Sequence, residues 1–206
     1  MFNISTKYSQ NSDFKAILVN KGSNLSSLRS LIDQKSANEL KNKASKNKRG
    51  FTFISQINNS KFKNFYFFNI NEKMIDHEYQ DLGGLIVSEA LSLKKDKIEI
   101  LFDTLPKQIK NNKSIIQNIL VGILSKNYSF SNYKQKDQSK KIANVNLVCS
   151  NKNFVKQALK YAESINAGVT ETRNLVTTPP NILNPVNFVN QVKKLKKFGL
   201  KIEIHD

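Results

Sequence analysis

The strongest constraint on the fold is an alternation of short apolar runs with segments of helical periodicity. The apolar runs are rich in β-branched and aromatic residues and are bounded by turn residues, which is typical of buried strands. They cover residues 14–19, 51–57, 64–70, 98–102 and 142–149. Apolar residues recur every three or four positions over 25–32, 75–93 and 115–124, which predicts helices with one buried face. The alternation therefore favours an α/β fold, a three-layer sandwich with helices on both sides of a sheet.

Two adjacent glycines, Gly83 and Gly84, interrupt the predicted helix over 75–93. A glycine in a helix interior costs about 1 kcal/mol relative to alanine. We therefore expect this pair to allow close packing against a neighbouring backbone.

Length and composition exclude several classes of protein. A chain of 206 residues can bury one core of ordinary domain size with residues to spare. The single cysteine, Cys149, lies in an apolar run, so we interpret it as a buried thiol in a reducing compartment. No stretch approaches the roughly 18 apolar residues of a membrane span, and residues 1–15 lack the apolar core of a signal peptide. We therefore expect a cytoplasmic protein that does not bind membranes.

The net charge of +17 raises the question of a nucleic-acid partner. Base-specific recognition relies on arginine, however, and the chain has three. They are Arg29, Arg49 and Arg173. The abundance of Lys, Asn and Ile is also what an AT-rich genome produces without any ligand. The densest basic stretch precedes the strand-like run at 51–57. Our first interpretation is a solvated connection, and our second is a loop that contacts phosphate. The stretch contains Lys41, Lys43, Lys46, Lys48 and Arg49.

The character of the chain changes after Ser150. Helical periodicity continues for some 25 residues, which is long for a crossover inside a small domain, and predicts a connecting helix. Pro179 and Pro180 must end it. A second helix is predicted over 184–198, with Pro185 at its favoured first position, and a strand is predicted over 200–204.

Candidate catalytic groups are sparse. The two histidines, His77 and His205, are too isolated to indicate a metal site. His77 lies in an acidic cluster, which we interpret as the first turn of a helix, where carboxylates meet the positive end of the helix dipole. The cluster comprises Glu72, Asp76, His77, Glu78 and Asp81. No glycine-rich phosphate loop, nucleophile elbow or zinc-protease motif is present.

The segment 168–185, GVTETRNLVTTPPNILNP, resembles the interdomain junction of leucyl (cytosol) aminopeptidases. In that family a helix ends in an Arg-Asp/Asn-Leu, two or three residues, Pro-Pro-Asn pattern before the catalytic domain. Two upstream stretches, 82–98 and 122–134, resemble the family's N-terminal domain in order and spacing. The junction residues match the family pattern one by one, in structural roles. They are Arg173, Asn174, Leu175, Pro179, Pro180 and Asn181.

The resemblance implies a macro-domain-like α/β domain with a mixed sheet at 1–150. It further implies a connecting helix and junction at 151–183, and the start of the catalytic domain at 184–206. In the family, two divalent metal ions, zinc or manganese, are held in the catalytic domain, partly by an Asn-Thr-Asp-Ala-Glu-Gly-Arg motif that does not occur here. No catalytic or metal-binding residue is therefore assigned to this chain.

The resemblance thus leads to one principal hypothesis. The chain is the N-terminal, non-catalytic portion of a leucyl aminopeptidase, as a gene fragment or a truncated version, and the whole enzyme is a hexamer acting on peptides. The alternative is a stand-alone lysine-rich module that binds nucleic acid weakly and without sequence specificity, since some members of the family bind DNA. A third hypothesis, an ADP-ribose-binding module, is opposed by the lack of a glycine-rich loop.

Overall fold

The computed structural model describes residues 2–9, 12, 14–20, 23, 25–28, 32–46, 51–58, 61–131, 133 and 141–205. The strands are β1 (Phe2–Ser5), β2 (Lys15–Val19), β3 (Phe51–Asn58), β4 (Lys61–Asn69), β5 (Lys97–Leu101) and β6 (Asn144–Val148). The α-helices are α1 (Gln34–Lys46), α2 (Asp76–Ser92), α3 (Lys107–Lys110), α4 (Lys113–Lys126), α5 (Lys152–Thr177) and α6 (Pro185–Lys193). Short 3-10 segments cover Ser26–Leu28, Phe102–Thr104 and Lys194–Phe198.

The strands form one six-stranded sheet in the order β1-β6-β5-β2-β4-β3. Every neighbouring pair is parallel except β3 with β4, which is antiparallel. The mixed α/β sheet expected from the sequence is therefore confirmed. Each strand that is central and parallel is buried on both faces, which explains why residues 15–19 read as a continuous apolar run rather than an alternating one.

The core forms two layers, one on each face of the sheet. Leu18 and Phe68 point into the larger layer, which contains the buried faces of α2, α4 and the first half of α5. Ile17 and Phe67 point into the smaller layer, which is closed by Leu28 and by α1. Successive side chains of a strand point to opposite faces, so neighbouring residues of β2 and β4 enter different layers. The three-layer arrangement follows from this alternation.

Helices α2 and α4 pack through glycine. A Cβ on Gly83 would overlap the carbonyl oxygen of Ile119 and lie 2.9 Å from the Ile123 nitrogen. Gly122 of α4 makes the reciprocal approach, because a Cβ there would overlap the Gln80 carbonyl. Close packing is therefore confirmed for Gly83. Gly84 differs, since a Cβ there would first meet the Lys126 Cβ at 3.8 Å, an ordinary contact.

One local prediction is wrong, and strand β1 was not predicted. The segment that contains Lys41, Lys43 and Lys46 was predicted to be a connection but forms the second half of helix α1; Lys48 and Arg49 lie outside the described residues. In the predicted helix over 25–32, the structure has a 3-10 turn at Ser26–Leu28, and 29–31 are not described.

Two compact units divide the chain, Met1–Asn166 and Ala167–Asp206. The first unit contains the sheet and the buried side chains of α5, which are Val155, Ala158, Leu159 and Ala162. The second unit contains the end of α5 and helix α6, and α6 has no buried residue. Residues 200–204 were predicted to form a strand, but they do not form one in the structure. Among the described residues, no strand pairs with them. The domain boundaries at 150/151 and 183/184 stay predictions.

In the described part of the chain, no helix is long and apolar enough to cross a membrane.

Candidate functional site

The junction segment begins with a helix end that two threonines complete. The Thr177 and Thr178 hydroxyls donate to the carbonyl oxygens of Arg173 and Asn174, at 2.7 and 2.6 Å. The Thr178 backbone N–H donates to the same Asn174 carbonyl at 3.0 Å. These are hydrogen bonds from a hydroxyl to the carbonyl four residues earlier, so the two threonines bond back to the last turns of α5 just before the prolines stop the helix.

A tight turn then leads into helix α6. The Pro179 carbonyl accepts from the backbone N–H groups of Ile182 and Leu183, both at 2.9 Å. The Asn184 side chain caps α6 by accepting from the Asn187 N–H at 2.9 Å. The Asn187 side chain donates to the Ile182 carbonyl at 2.8 Å. The predicted proline stop and the start of the next helix at Pro185 are therefore confirmed.

All six junction residues lie in this helix–turn–helix. Arg173, Pro180 and Asn181 are exposed, and the others are partly buried. The hydrogen bonds described for this segment join backbone groups with threonine and asparagine side chains. The structural role of the six junction residues stays a prediction.

The acidic cluster around His77 is a helix start. Asp76 and Glu78 lie in the first turn of α2, as predicted. The Glu78 carboxylate accepts from the Ile75 N–H at 2.8 Å, which is one half of a capping box. Among the described residues, no group of three or more His, Cys, Asp or Glu side chains could hold a metal ion.

A buried ion pair, which the sequence analysis missed, lies between β2 and β5. Lys15 and Glu99 are each 1% exposed, and the Lys15 Nζ is 3.7 Å from the Glu99 Oε2. The other carboxylate oxygen, Oε1, accepts from the Ser9 N–H at 2.7 Å and the Asn146 Nδ2 at 2.6 Å. Lys15 also donates to the Ser12 carbonyl at 2.7 Å. Both charges are thus partnered where water does not reach them.

A cavity of about 540 Å³ lies beside this pair. Its lining includes Asn3, Glu99 and Asn146, together with the loop residues 95–97. These residues lie at the amino ends of parallel strands, whereas α/β sheets usually bind ligands at the carboxyl ends. The Glu99 Oε2 is buried without a hydrogen bond, so the pair is held by charge attraction more than by hydrogen bonding at that oxygen.

The carboxyl ends of β5 and β6 carry a second polar cluster. Asp103 forms an ion pair with Lys110 and accepts from the Ser150 N–H at 3.0 Å and the Ser150 hydroxyl at 2.7 Å. Burial opposes ionisation of Asp103, but these hydrogen bonds outweigh it and hold the pKa of its carboxyl below the ordinary value. The neighbouring Cys149 is free and buried, as predicted. Burial, assisted by the Asp103 charge, raises the pKa of its thiol to about 11, so it is a poor nucleophile.

Comparisons of the sequence with known proteins find relatives described as probable cytosol aminopeptidases. A "probable cytosol aminopeptidase" of Phytoplasma mali is 33% identical over 136 residues, which are 64% of this chain and 27% of that protein. Proteins of the same description from Agrobacterium fabrum and Rhizobium etli are 31% and 30% identical over 137 and 133 residues. No protein-family model matches. The chain spans about a quarter of the length of the curated relatives it matches.

A comparison of the fold with solved structures also finds an aminopeptidase. A mutant tomato leucine aminopeptidase superposes with a TM-score of 0.65 over 96% of this chain and 42% of that one, at 17% identity. The α/β fold of this chain is therefore similar to that of part of the tomato protein. The chain is similar to cytosol aminopeptidases in sequence, and its partial coverage of them is consistent with their N-terminal portion. The resemblance first drawn from the junction and the two upstream stretches is thereby confirmed.

Proposed function

We propose that this chain supplies the N-terminal, non-catalytic portion of a leucyl aminopeptidase that acts in the cytoplasm. The observation that carries the proposal is the match to part of each relative, 64% of this chain against 27% of the P. mali protein. The name of those relatives supports the cytoplasmic location.

The catalytic portion would contribute the chemistry. Residues of that portion would hold two divalent ions, zinc or manganese, which would supply Lewis-acid chemistry for the release of the N-terminal amino acid of a peptide. We assign no described residue of this chain to that step. Its contribution is to position the catalytic portion and to take part in a hexamer.

The second unit offers a surface for that contact. Val186 and Phe198 are 69% and 70% exposed, although they belong to a helix and its 3-10 extension with apolar faces. Large apolar side chains grouped on a surface favour contact with another protein surface. We propose that the catalytic portion covers these side chains.

A fusion enzyme tests this function. The chain is joined ahead of the catalytic portion of the P. mali protein, and hydrolysis of a leucyl anilide is measured with zinc or manganese. We expect the fusion to be active and the 206-residue chain alone to be inactive with either metal, because its described residues gather no ligand cluster. Turnover by the chain alone that survives repurification and is lost on mutating the chain would contradict the proposal.

Matched variants of the fusion locate the contact. Phe188→Ser changes an apolar side chain of α6 that is 45% exposed, and Tyr133→Ser changes one in the first unit that is 50% exposed. We expect the first to lower activity at least tenfold and the second to leave it unchanged. Equal activities would show that α6 makes no contact that matters to the enzyme.

Hydrogen exchange should separate the two units in the isolated chain. We expect the amides of residues 184–205 to exchange well before those of β2, β5 and β6, because α6 buries no side chain while these strands are buried. Removing the residues after Thr178 should raise solubility. Trimming at Ser150 should lower it, because α5 places four side chains in the core. Equal protection of both regions would contradict this prediction.

A further inference from the structure

Strand β1 lies at one edge of the sheet, beside β6. The Cys149 N–H donates to the Ser5 carbonyl at 2.9 Å, so the backbone groups of Ser5 face β6. In a parallel ladder alternate residues turn their N–H and C=O groups toward the same neighbour. The backbone groups of Phe2 and Ile4 therefore point out of the sheet, where an additional strand would pair.

A groove of about 890 Å³ follows this edge. Phe2 and Ile4 form one wall, since side chains two residues apart in a strand share a face. Helix α5 forms the other wall, with Leu159 contributing an apolar side chain. An exposed strand edge beside an apolar groove is the geometry that binds extended peptides, through main-chain hydrogen bonds and pockets for alternate side chains.

The helix wall of the groove is basic. Lys152, Lys156 and Lys160 line it at intervals of four residues, which puts them in one row along α5. All three are exposed, and Glu163 is the acidic residue of the lining. A segment lying in the groove would therefore meet a net positive charge along most of its length.

We propose that β1 and the lysine row of α5 form a docking groove for an extended acidic segment of a partner protein. The segment pairs with the outward backbone groups of Phe2 and Ile4 and adds a strand to the sheet. Its side chains on the α5 face include apolar groups, which enter the groove, and carboxylates, which meet the lysine row, while its other side chains point to the opposite face of the sheet. This proposal does not depend on the aminopeptidase assignment.

The charge of the groove opposes two other occupants. A second copy pairing through β1 would bring two lysine rows together, and each chain carries a net charge of +17. A nucleic acid would satisfy the lysines but has no main chain to pair with a strand edge and no aliphatic side chains for the groove. The acidic peptide matches the charge, the edge and the apolar wall together.

Binding is tested with the full chain and a fluorescein-labelled eight-residue peptide, followed by anisotropy at 0.1 M salt. The odd positions of the peptide are glutamate and valine in turn and its even positions are threonine, so that glutamate and valine share one face of the strand. A second peptide carries N-methyl groups on alternate amides, which removes donors for strand pairing and keeps the charge. We expect the N-methylated peptide to bind at least tenfold more weakly. Equal affinity of the two peptides, or no binding of the first, would overturn the proposal.

Charge-reversal variants test whether the peptide binds at the lysine row of α5. Lys156→Glu/Lys160→Glu alters the lysine row, and the control Lys73→Glu/Lys107→Glu makes the same change of net charge at exposed positions elsewhere. All four residues are exposed, so both variants should fold, which circular dichroism verifies. We expect at least a tenfold loss of affinity for the first and less than twofold for the control. Equal losses would overturn the proposal, because they would indicate general charge attraction.

Two further measurements address the other occupants. An unlabelled oligothymidylate of equal charge should displace the labelled peptide less effectively than the unlabelled peptide does. Stronger displacement by the oligonucleotide would overturn the proposal in favour of nucleic acid. Sedimentation of the chain alone should show a monomer, or a dimer that persists in the variant Lys156→Glu/Lys160→Glu. A dimer that this variant abolishes would overturn the proposal and assign the groove to a second copy.

Discussion

Replacing Gly83 by alanine should destabilise the chain by about 3 kcal/mol or more. The added Cβ would overlap the Ile119 carbonyl, and backbone atoms of two packed helices can separate only by opening the core between α2 and α4. The gain in helix propensity from removing a glycine, about 1 kcal/mol, is too small to offset this. The measurement is the free energy of unfolding from urea titration followed by circular dichroism.

The adjacent Gly84 supplies the control. Its added Cβ meets the Lys126 Cβ at 3.8 Å, so Gly84→Ala should be neutral or stabilising by up to about 1 kcal/mol. The two variants share a helix, a residue type and a chemical change, and they differ in what the methyl group meets. A similar change in both would show that the close approach of the Ile119 carbonyl to Gly83 does not control the effect.

Removing one member of the Lys15–Glu99 pair should cost about 3–5 kcal/mol of the free energy of unfolding. Lys15→Met leaves the Glu99 carboxylate charged and 1% exposed, with one of its oxygens already lacking a hydrogen bond. Glu99→Gln leaves a buried lysine without its counter-charge. Thermal and urea unfolding of each variant measure the loss.

The double variant Lys15→Met/Glu99→Gln tests the coupling. It buries no net charge, so it should lose less stability than the sum of the two single variants. Lys97→Met, at an exposed lysine two residues before Glu99, should change stability by less than about 0.5 kcal/mol. Additive losses in the double variant would mean that the two charges do not stabilise each other.

The sequence predicts the central part of the fold well because its signals there are strong and local. Residues 15–19 and 65–68 are buried strands whose composition identifies them without any knowledge of their neighbours. The helices over 76–92 and 113–126 follow from apolar spacing. In each of these segments one long apolar pattern specifies both the element and its buried face.

The edges of the fold were predicted poorly because their signals depend on distant residues. Strand β1 has four residues, of which Phe2 and Ile4 alternate with polar ones, and β6 stabilises it across more than 140 residues of sequence. Helix α1 has few apolar residues, and Ala37 is buried in the smaller core layer. The strand predicted over 200–204 has a suitable sequence but no neighbour in the described residues.

The candidate sites also differ in whether their sequence signals are local or depend on distant residues. The junction was recognised because its prolines and threonines act on backbone groups within a few residues of themselves. The Lys15–Glu99 pair was missed because 84 positions separate its members and either residue alone resembles a surface charge. A lysine inside an otherwise apolar strand next to Ala16 was the available signal.

The order of the strands also sets an order of assembly. Strand β1 pairs with β6, so the first strand of the chain gains its ladder only after residues 144–148 have been synthesised. Until then, the neighbouring β5 presents an unpaired edge, and Phe2 and Ile4 have no sheet to cover. The amino-terminal strand therefore cannot join the sheet before β6 is available, although it is made first.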